Sequence, residues 1–124
     1  MQKDRMIAYI REQYGVDPDI PWSDDTGAPV VRRQDNRKWF GIFIQVQGAK
    51  VGLTTDETVD VLNVKCDEIL IDVLRDQSGY HSAYHMNKRH WISILLDETV
   101  KDDDVRMLID MSYKLTGPRS KKKR

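Results

Sequence analysis

The segment from residue 81 to residue 91 has the side chains best able to do chemistry in this sequence. It combines all three histidines of the chain with two cations, an amide and a tryptophan: His81, His85, Asn87, Lys88, Arg89, His90 and Trp91. Cationic N–H groups bind phosphate and carboxylate oxygens, and amide and imidazole groups add hydrogen bonds. Two interpretations are open: an anion-binding surface, or a solvated turn whose histidines bond to the backbone.

A zinc site in this segment needs at least three ligands that converge in tetrahedral geometry. His81 and His85 would share a face only on a helix, whereas the segment is predicted to be extended ahead of a strand. Cys66, the one cysteine of the sequence, is a further candidate ligand. The sequence therefore predicts no metal site and no cofactor.

Cys66 is also the first candidate for a nucleophile. It precedes a predicted helix, where backbone N–H groups lower a thiol pKa, but Asp67 and Glu68 oppose that effect. The sequence contains no Gly-rich phosphate loop, no G-x-S-x-G and no H-E-x-x-H motif. We therefore expect a binding domain that is not an enzyme. A lone cysteine forms no internal disulfide, which is typical of a cytoplasmic protein.

The charge of the chain is unevenly distributed. The 124 residues include 20 basic and 20 acidic side chains. Hydrophobic residues make up 40% of the chain. Five cations lie in residues 119–124, which leaves 15 cations against 20 acids, a net charge of −5, in the rest of the chain. Affinity for a polyanion must come from a local patch or from this tail. No run approaches the roughly 20 apolar residues of a bilayer span, so we expect no membrane contact.

Three helices are predicted from apolar spacing and end signals. The first covers residues 3–14 and stops at Gly15, the second covers 67–78 and stops at Gly79, and the third begins with the acids of 102–104. The predicted buried stripe of the second helix is Leu70, Val73, Leu74 and Gln77. That of the third helix is Val105, Leu108, Ile109 and Leu115.

Strands are predicted where apolar residues alternate, and Trp22 is predicted to anchor the loop 15–29 on the core. The predicted extended segments are 30–33, 38–46, 59–65, 80–85 and 91–96, with a short strand or turn at 50–53. This order predicts an α+β fold, in which a two-layer, mostly antiparallel five-stranded sheet has helices on one face in the order α-β(3)-α-β(2)-α. The domain covers residues 1–117 and a basic tail covers 118–124.

Strand alternation predicts which side chains lie on the sheet face that no helix covers. With Phe40, Ile42 and Ile44 toward the helices, the bare face receives Trp39, Gly41, Phe43, Asn63, Lys65, Trp91, Ser93 and Leu95. Aromatic side chains among cations could stack on bases while the cations contact phosphates. The alternative is that the loop 15–29 or a second subunit covers this face.

Four blocks of the sequence together resemble the MmcQ/YjbR family. They are Lys-Trp-Phe-Gly-Ile-Phe at 38–43, Asn-Val-Lys-Cys-Asp at 63–67, Tyr-His-Met-Asn-Lys-Arg-His-Trp-Ile at 84–92 and Ser-Tyr-Lys-Leu at 112–115. The resemblance implies a small bacterial cytoplasmic protein whose fold is similar to type III secretion chaperones and to the frataxin-like CyaY fold. It also suggests DNA binding, and it marks the motif positions as candidate site positions without assigning them roles.

The sequence therefore predicts a domain that binds an anionic ligand, with DNA as the first candidate. Lys65, Lys88 and Arg89 would contact phosphates; His85, Asn87 and His90 would add hydrogen bonds; Trp39 and Trp91 would supply stacking surface. The cations near the first hairpin would extend this patch: Arg32, Arg33, Arg37 and Lys38. The alternatives are a protein-interaction or chaperone-like module that uses the bare face for a partner or a homodimer, and a small-molecule binder with a pocket around His85, Lys88 and Cys66.

Overall fold

The computed structural model describes residues 1–20 and 28–118, and it has the predicted element order. Its helices are α1 (Gln2–Tyr14), α2 (Glu68–Leu74) and α3 (Asp102–Leu115), with a 3-10 helix at Gly48–Val51. Its strands are β1 (Val30–Arg32), β2 (Trp39–Gln47), β3 (Thr58–Lys65), β4 (Tyr80–Ser82) and β5 (Trp91–Leu95). They form one antiparallel sheet in the order β1-β2-β3-β5-β4, which confirms the predicted α+β class. Trp22 and the tail beyond Pro118 lie outside the described residues.

Helices α1 and α3 cover one face of the sheet and enclose the main core. Met6 and Ile10 of α1 and Leu108 of α3 are buried there against Leu62 and Ile92 of the central strands. Gly15 ends α1 because its φ of 69° is a left-handed conformation that glycine adopts without strain. Three aspartates begin α3, where the helix dipole favours negative charge.

Leu115 does not belong to the buried stripe of α3, contrary to prediction. Its side chain is 44% exposed, whereas Ser112 and Thr116 are buried. The Ser112 hydroxyl donates to the Phe40 carbonyl at 2.7 Å and accepts from the backbone N–H of Lys65 at 2.9 Å. These polar contacts, rather than apolar spacing, decide which side of the last helical turn faces the sheet.

Helix α2 is shorter than predicted. Asp67 caps it by accepting hydrogen bonds from the backbone N–H groups of Ile69 and Leu70. It ends at Leu74 because the residues that follow, 75–78, offer no apolar side chain to bury. Leu70 and Leu74 pack against the main core as predicted, and Ile71 is buried in it. Val73 and Gln77, also predicted for this stripe, are exposed.

A β-bulge in β2 reverses part of the predicted alternation. Val31 pairs with Gly41 but Arg32 pairs with Trp39, so Phe40 is an extra residue on β2. Phe40 and Gly41 therefore both face the helices, and the prediction that Gly41 lies on the bare face is wrong. A Cβ atom at Gly41 would lie 2.8 Å from the Cγ2 atom of Val31, which explains the glycine.

Beyond the bulge, every side chain of β2 lies on the face opposite to the one predicted. Phe43 pairs with Leu62 and packs in the main core, while Ile42 and Ile44 lie on the other face. We call this other face, turned away from α1 and α3, the second face. The predictions for Phe43, Ile42 and Ile44 are wrong because strand alternation alone does not reveal an inserted residue.

The centre of the second face is covered, which corrects the prediction of a bare sheet. Four buried side chains form a second cluster there: Val46, Val51, Val61 and Leu95. The 3-10 helix supplies Val51. Leu53, just after the 3-10 helix, and Tyr84, just after β4, pack against the cluster. Of the two alternatives predicted for residues 50–53, a short strand or a turn, the structure has the turn, which follows the 3-10 helix.

Candidate nucleic-acid interface

Four side chains of alternating type lie at one end of the second face. We call them the end row: Arg32, Trp39, Lys65 and Trp91. Arg32 is paired with Trp39 and Lys65 with Trp91, and paired residues of antiparallel strands share a face. Phe40 contacts Tyr113 of α3, so its neighbour Trp39 lies on the second face. All four residues are half-buried.

The end row joins residues from four neighbouring strands because β2 and β5 begin where β3 ends. β3 lies between the strands that carry Trp39 and Trp91. Arg32 forms an ion pair with Asp19 at 3.0 Å. Within residues 1–20 and 28–118, Lys65 has no ion-pair partner, so its charge is not neutralised by a described acid.

Buried polar side chains attach the segment between β4 and β5 to the second face. Asn63 and Ser93, predicted to point to this face, do so but are completely buried. The Asn63 amide donates to the Tyr84 carbonyl at 2.8 Å, and the Tyr84 N–H donates to the Ser93 hydroxyl at 3.0 Å. This segment therefore has a fixed position beside Trp91.

The residues after Tyr84 form a tight turn that keeps their side chains exposed. The Asn87 side chain accepts from the backbone N–H of Arg89 at 2.8 Å, and its carbonyl accepts from the N–H of Trp91 at 3.0 Å. His85 has a φ of 62°, uncommon for a residue with a side chain, and its ring lies 4.0 Å from that of Tyr84. The predicted site residues on this turn are exposed: His85, Asn87, Lys88, Arg89 and His90.

The two cations of the turn differ in their partners. Lys88 donates to the Ala83 carbonyl at 3.1 Å, which orients its ammonium group without neutralising it. Arg89 pairs with Glu68 of α2 at 3.2 Å, but both side chains are more than half exposed, so solvent screens the pair. A groove of about 300 Å³ between α2 and the turn is lined by charges of both signs: Glu68, Asp72, Arg75, Lys88 and Arg89.

Arg33 does not extend the cationic patch, contrary to prediction. It is only 8% exposed, its guanidinium stacks 3.8 Å from the Tyr113 ring centre, and it makes two hydrogen bonds to Asp35. The Asp35 hydrogen bonds hold the pKa of Arg33 above its ordinary value and that of Asp35 below its own. Arg37 and Lys38 are exposed, and they lie in the same loop.

Sequence reasoning missed that this loop is attached to the end of α3. The Arg33 guanidinium donates to the Tyr113 carbonyl at 2.5 Å, and the Asn36 amide donates to the Thr116 carbonyl at 2.8 Å. Both satisfy carbonyls that a helix end leaves without partners. The loop leads directly into Trp39, so these bonds set where the end row begins. In the sequence, this contact is indicated only by the family-like block Ser-Tyr-Lys-Leu at 112–115, which contains Tyr113.

A cavity lies beside this attachment, on the helix side of the sheet. It measures about 520 Å³ and is lined by Gln13, Tyr14, Arg33, Asp110, Tyr113, Lys114, Gly117 and Pro118. The hydroxyls of Tyr9 and Tyr14 both donate to Asp110 at one rim. Burial, and then this carboxylate, raise the pKa of Tyr9 to about 12 and raise that of Tyr14 as well.

Cys66 is separated from the exposed turn by its burial. It is 2% exposed, and burial raises the pKa of its thiol to about 11. Its backbone N–H donates to the His90 carbonyl at 2.8 Å, which joins the end of β3 to the turn. Among the described residues, no three His, Cys, Asp or Glu side chains are grouped so that they could hold a metal ion. No helix in that part of the chain has the length and apolar character to cross a bilayer.

Comparison with known proteins identifies the family of the chain. The YjbR family model matches residues 11–115. The chain belongs to the YjbR family. It is 34% identical over 116 residues to the uncharacterised protein YyaQ of Bacillus subtilis, covering 94% of this chain and 98% of that protein. It is 26% identical over 87 residues to the uncharacterised Escherichia coli protein YjbR, covering 68% of this chain and 74% of that one.

Solved structures of YjbR-like proteins share the fold. A crystal structure of a Pseudomonas syringae protein superposes with a TM-score of 0.89 at 35% identity, covering 94% of this chain and all of that chain. A Deinococcus radiodurans protein with a DUF419 domain has a TM-score of 0.65 at 23% identity, over 91% of this chain and 76% of that one. The family and the fold of the chain are thus established.

Proposed function

We propose that this YjbR-family chain is a cytoplasmic, non-enzymatic domain that binds nucleic acid, with DNA as the first candidate, through the end row and the adjoining turn. The observation that carries the proposal is the alternation of Arg32, Trp39, Lys65 and Trp91 across neighbouring strands. Cations bind the phosphates that dominate affinity for nucleic acid, and aromatic rings offer surfaces on which bases stack. A sheet with both types at one end suits a ligand that is both charged and aromatic.

The surroundings of the end row support an anionic ligand. Lys88 and Arg89 are exposed on the turn that leads into Trp91, and Lys38 is exposed at the end of the loop that leads into Trp39. Lys65 and Lys88 have no acidic partner among the residues that the structure describes. These charges stand out because residues 1–118 carry a net negative charge, as the count of 15 cations against 20 acids gives.

Exposed apolar side chains on α2 favour a second candidate function, binding of a protein partner or a second copy of the chain. Ile69 is 77% exposed and Val73 is 52% exposed, and they lie four residues apart on one side of the helix. Sedimentation across a range of concentrations tests it. A dimer that Ile69→Lys dissociates would support this function, and a monomer at all concentrations would count against self-association.

Fluorescence anisotropy with a labelled oligonucleotide tests nucleic-acid binding. The tail must first be silenced in the full chain by changing its five cations to glutamine, because an isolated basic tail also binds polyanions. We expect binding at low salt that Lys65→Gln with Lys88→Gln weakens at least tenfold. The matched control changes two exposed lysines elsewhere, Lys50→Gln with Lys101→Gln, and should weaken it less than threefold. Absence of binding by the tail-silenced chain at low salt would end the proposal.

A further inference from the structure

We propose that the cavity at the end of α3 binds an α-amino acid with an apolar side chain, a function separate from nucleic-acid binding. The cavity measures about 520 Å³, which lies within the range of sites for small molecules. Its lining combines charges of both signs with two aromatic rings: Arg33, Asp110, Lys114, Tyr14 and Tyr113. A ligand with a carboxylate and an ammonium group on one carbon atom matches both signs at once.

Arg33 supplies donors for the carboxylate from a buried position. Its side chain is only 8% exposed. Its Nε and Nη2 atoms donate to Asp35, and its Nη1 atom donates to the Tyr113 carbonyl. A guanidinium has five N–H groups, so one N–H on each terminal nitrogen has no acceptor among residues 1–20 and 28–118. Guanidinium N–H groups bind carboxylate oxygens, frequently two at once.

Gly117 leaves space beside the Arg33 guanidinium. One face of the guanidinium stacks on the Tyr113 ring, 3.8 Å from its centre. A Cβ atom at Gly117 would lie 3.4 Å from both Cζ and Nη1 of Arg33. Glycine therefore keeps a side chain out of the part of the cavity next to these donors, and a ligand carboxylate can occupy that part.

Asp110 supplies acceptors for the ammonium group. The hydroxyls of Tyr9 and Tyr14 donate to it at 2.7 and 2.5 Å, which orients the carboxylate. Hydroxyls are neutral, and no cation in the described part of the chain forms an ion pair with Asp110, so its charge is not neutralised there. Two hydroxyl protons fill about half of the roughly four acceptor sites of a carboxylate. The other sites are available to an ammonium group.

Two stacked rings hold the charged sides of the cavity apart. The ring centres of Tyr14 and Tyr113 are 3.9 Å apart. Arg33 lies against Tyr113, while the Tyr14 hydroxyl meets Asp110, so a ligand can bridge two charges that do not pair with each other. Lys114, one helical turn after Asp110, is exposed and has no ion-pair partner among the described residues, so it adds a second cation. The ring edges offer apolar surface to the side chain of the ligand.

Nuclear magnetic resonance titration of the isotopically labelled full chain with three matched ligands tests the inference. L-phenylalanine carries both charges, hydrocinnamate lacks the ammonium group, and phenethylamine lacks the carboxylate. We expect L-phenylalanine, at up to about 10 mM, to shift the backbone amide signals of residues 113–117 saturably. It should bind at least about tenfold more tightly than either analogue, because each analogue leaves one charged side of the cavity without its partner. No saturable shift in residues 113–117, or equal binding of either analogue, would overturn the inference and leave nucleic-acid binding untouched.

Substitution of the lining charges gives a readout that a merely structural role would not change. Asp110→Asn keeps an oxygen that accepts from the tyrosine hydroxyls but removes the charge. It should weaken L-phenylalanine binding at least about tenfold and change hydrocinnamate binding less than about threefold. Equal losses for the two ligands would overturn the role of Asp110.

The cationic side of the cavity has a matched pair of lysine variants. Lys114→Gln should weaken the binding of both carboxylate ligands, whereas Lys50→Gln, at an exposed position outside the cavity, should weaken neither. Circular dichroism shows whether each variant is folded. Unchanged binding in folded Lys114→Gln, or an equal loss in Lys50→Gln, would overturn the arrangement.

Discussion

The hydroxyl of Ser93 donates a hydrogen bond of 2.5 Å to the side-chain oxygen of Asn63, and both residues are completely buried. With the two bonds to the backbone of Tyr84, they form a closed triangle that joins β3, β5 and the segment before the turn. Each polar atom in this triangle has a partner, so its burial costs little as long as all members are present. The triangle therefore fixes the turn to the sheet.

We predict that Asn63→Ala destabilises the fold by about 3 kcal/mol, because it leaves the Tyr84 carbonyl without its donor and opens a small cavity. Urea unfolding measures the change. Gln45→Ala is the control, since Gln45 is exposed and bonds only to Asp60 at the surface; it should cost about 0.5 kcal/mol or less. Equal costs for the two variants would show that the triangle contributes nothing.

Two glycines with positive φ give a matched pair for a second prediction. Gly79 has a φ of 92° and Gly52 a φ of 85°, so alanine is strained at both. At Gly79 a Cβ atom would also overlap the Cγ2 atom of the buried Val100, whereas at exposed Gly52 it would lie 3.3 Å from the His81 ring. Gly79→Ala should therefore cost about 2 kcal/mol more than Gly52→Ala in thermal or urea unfolding.

A second experiment tests whether contact with Val100 causes the extra destabilisation by Gly79→Ala. In a Val100→Ala background the overlapping methyl group is gone, so Gly79→Ala should cost less there than in the native chain. If the cost is the same in both backgrounds, backbone strain alone accounts for the effect and the packing argument is wrong.

The sequence was sufficient for the element order because each helix carries its own apolar spacing and end signal. Gly15 and the acids of α3 are local signals, and they act before any tertiary contact forms. The extra residue Phe40 is different, since only its pairing with β1 reveals it. The faces of Gly41 and Phe43 were consequently predicted wrongly, whereas those of β3 and β5, which have no bulge, were predicted correctly.

The candidate site was predictable in part for the same reason. Trp39, Lys65 and Trp91 follow from strand alternation, and they do lie on the second face. Arg33 pairs locally with Asp35, but its bond to the Tyr113 carbonyl at the end of α3 joins residues 80 positions apart, and no local pattern indicates that contact. The cover of Val61 and Leu95 by the 3-10 helix likewise depends on a packing contact that the sequence does not show by itself.

The start of α3 leads to a prediction about acid stability. Arg5 donates to Asp102 at 2.7 Å and Gln2 donates to it at 3.0 Å, and these bonds, Arg5 first, lower the pKa of Asp102. A lowered folded-state pKa gives stability that is present above the unfolded value of about 3.9 and is lost as pH falls through the folded value. The stability gap between the native chain and Asp102→Asn should therefore be largest near pH 7 and shrink below pH 4.

Urea unfolding at several pH values measures that gap. Asp72→Asn is the control: Asp72 meets Arg75 at 3.4 Å on the surface of α2, a type of pair worth little in water. Its difference from the native chain should stay small at every pH. A gap for Asp102→Asn that is constant from pH 7 to pH 3 would show that the ionised carboxylate contributes nothing to folding.

Cys66 provides a test of whether a reactive pocket lies beneath the turn. Burial raises the pKa of its thiol from about 9 to about 11, so at pH 7.5 the thiolate is roughly 100-fold rarer in the folded state. Burial slows its reaction further. We predict that a thiol reagent labels the native chain at least about 100-fold more slowly than the chain in urea.

The control for this labelling replaces Cys66 by alanine and introduces Ala8→Cys on the exposed side of α1. That thiol should react in the native state within a few-fold of the unfolded rate, which shows that the reagent itself is not limiting. Rapid labelling of native Cys66 would mean that the space around Cys66, His85 and Lys88 opens in solution. A small-molecule or nucleophilic site there would then explain the turn better than nucleic-acid binding does.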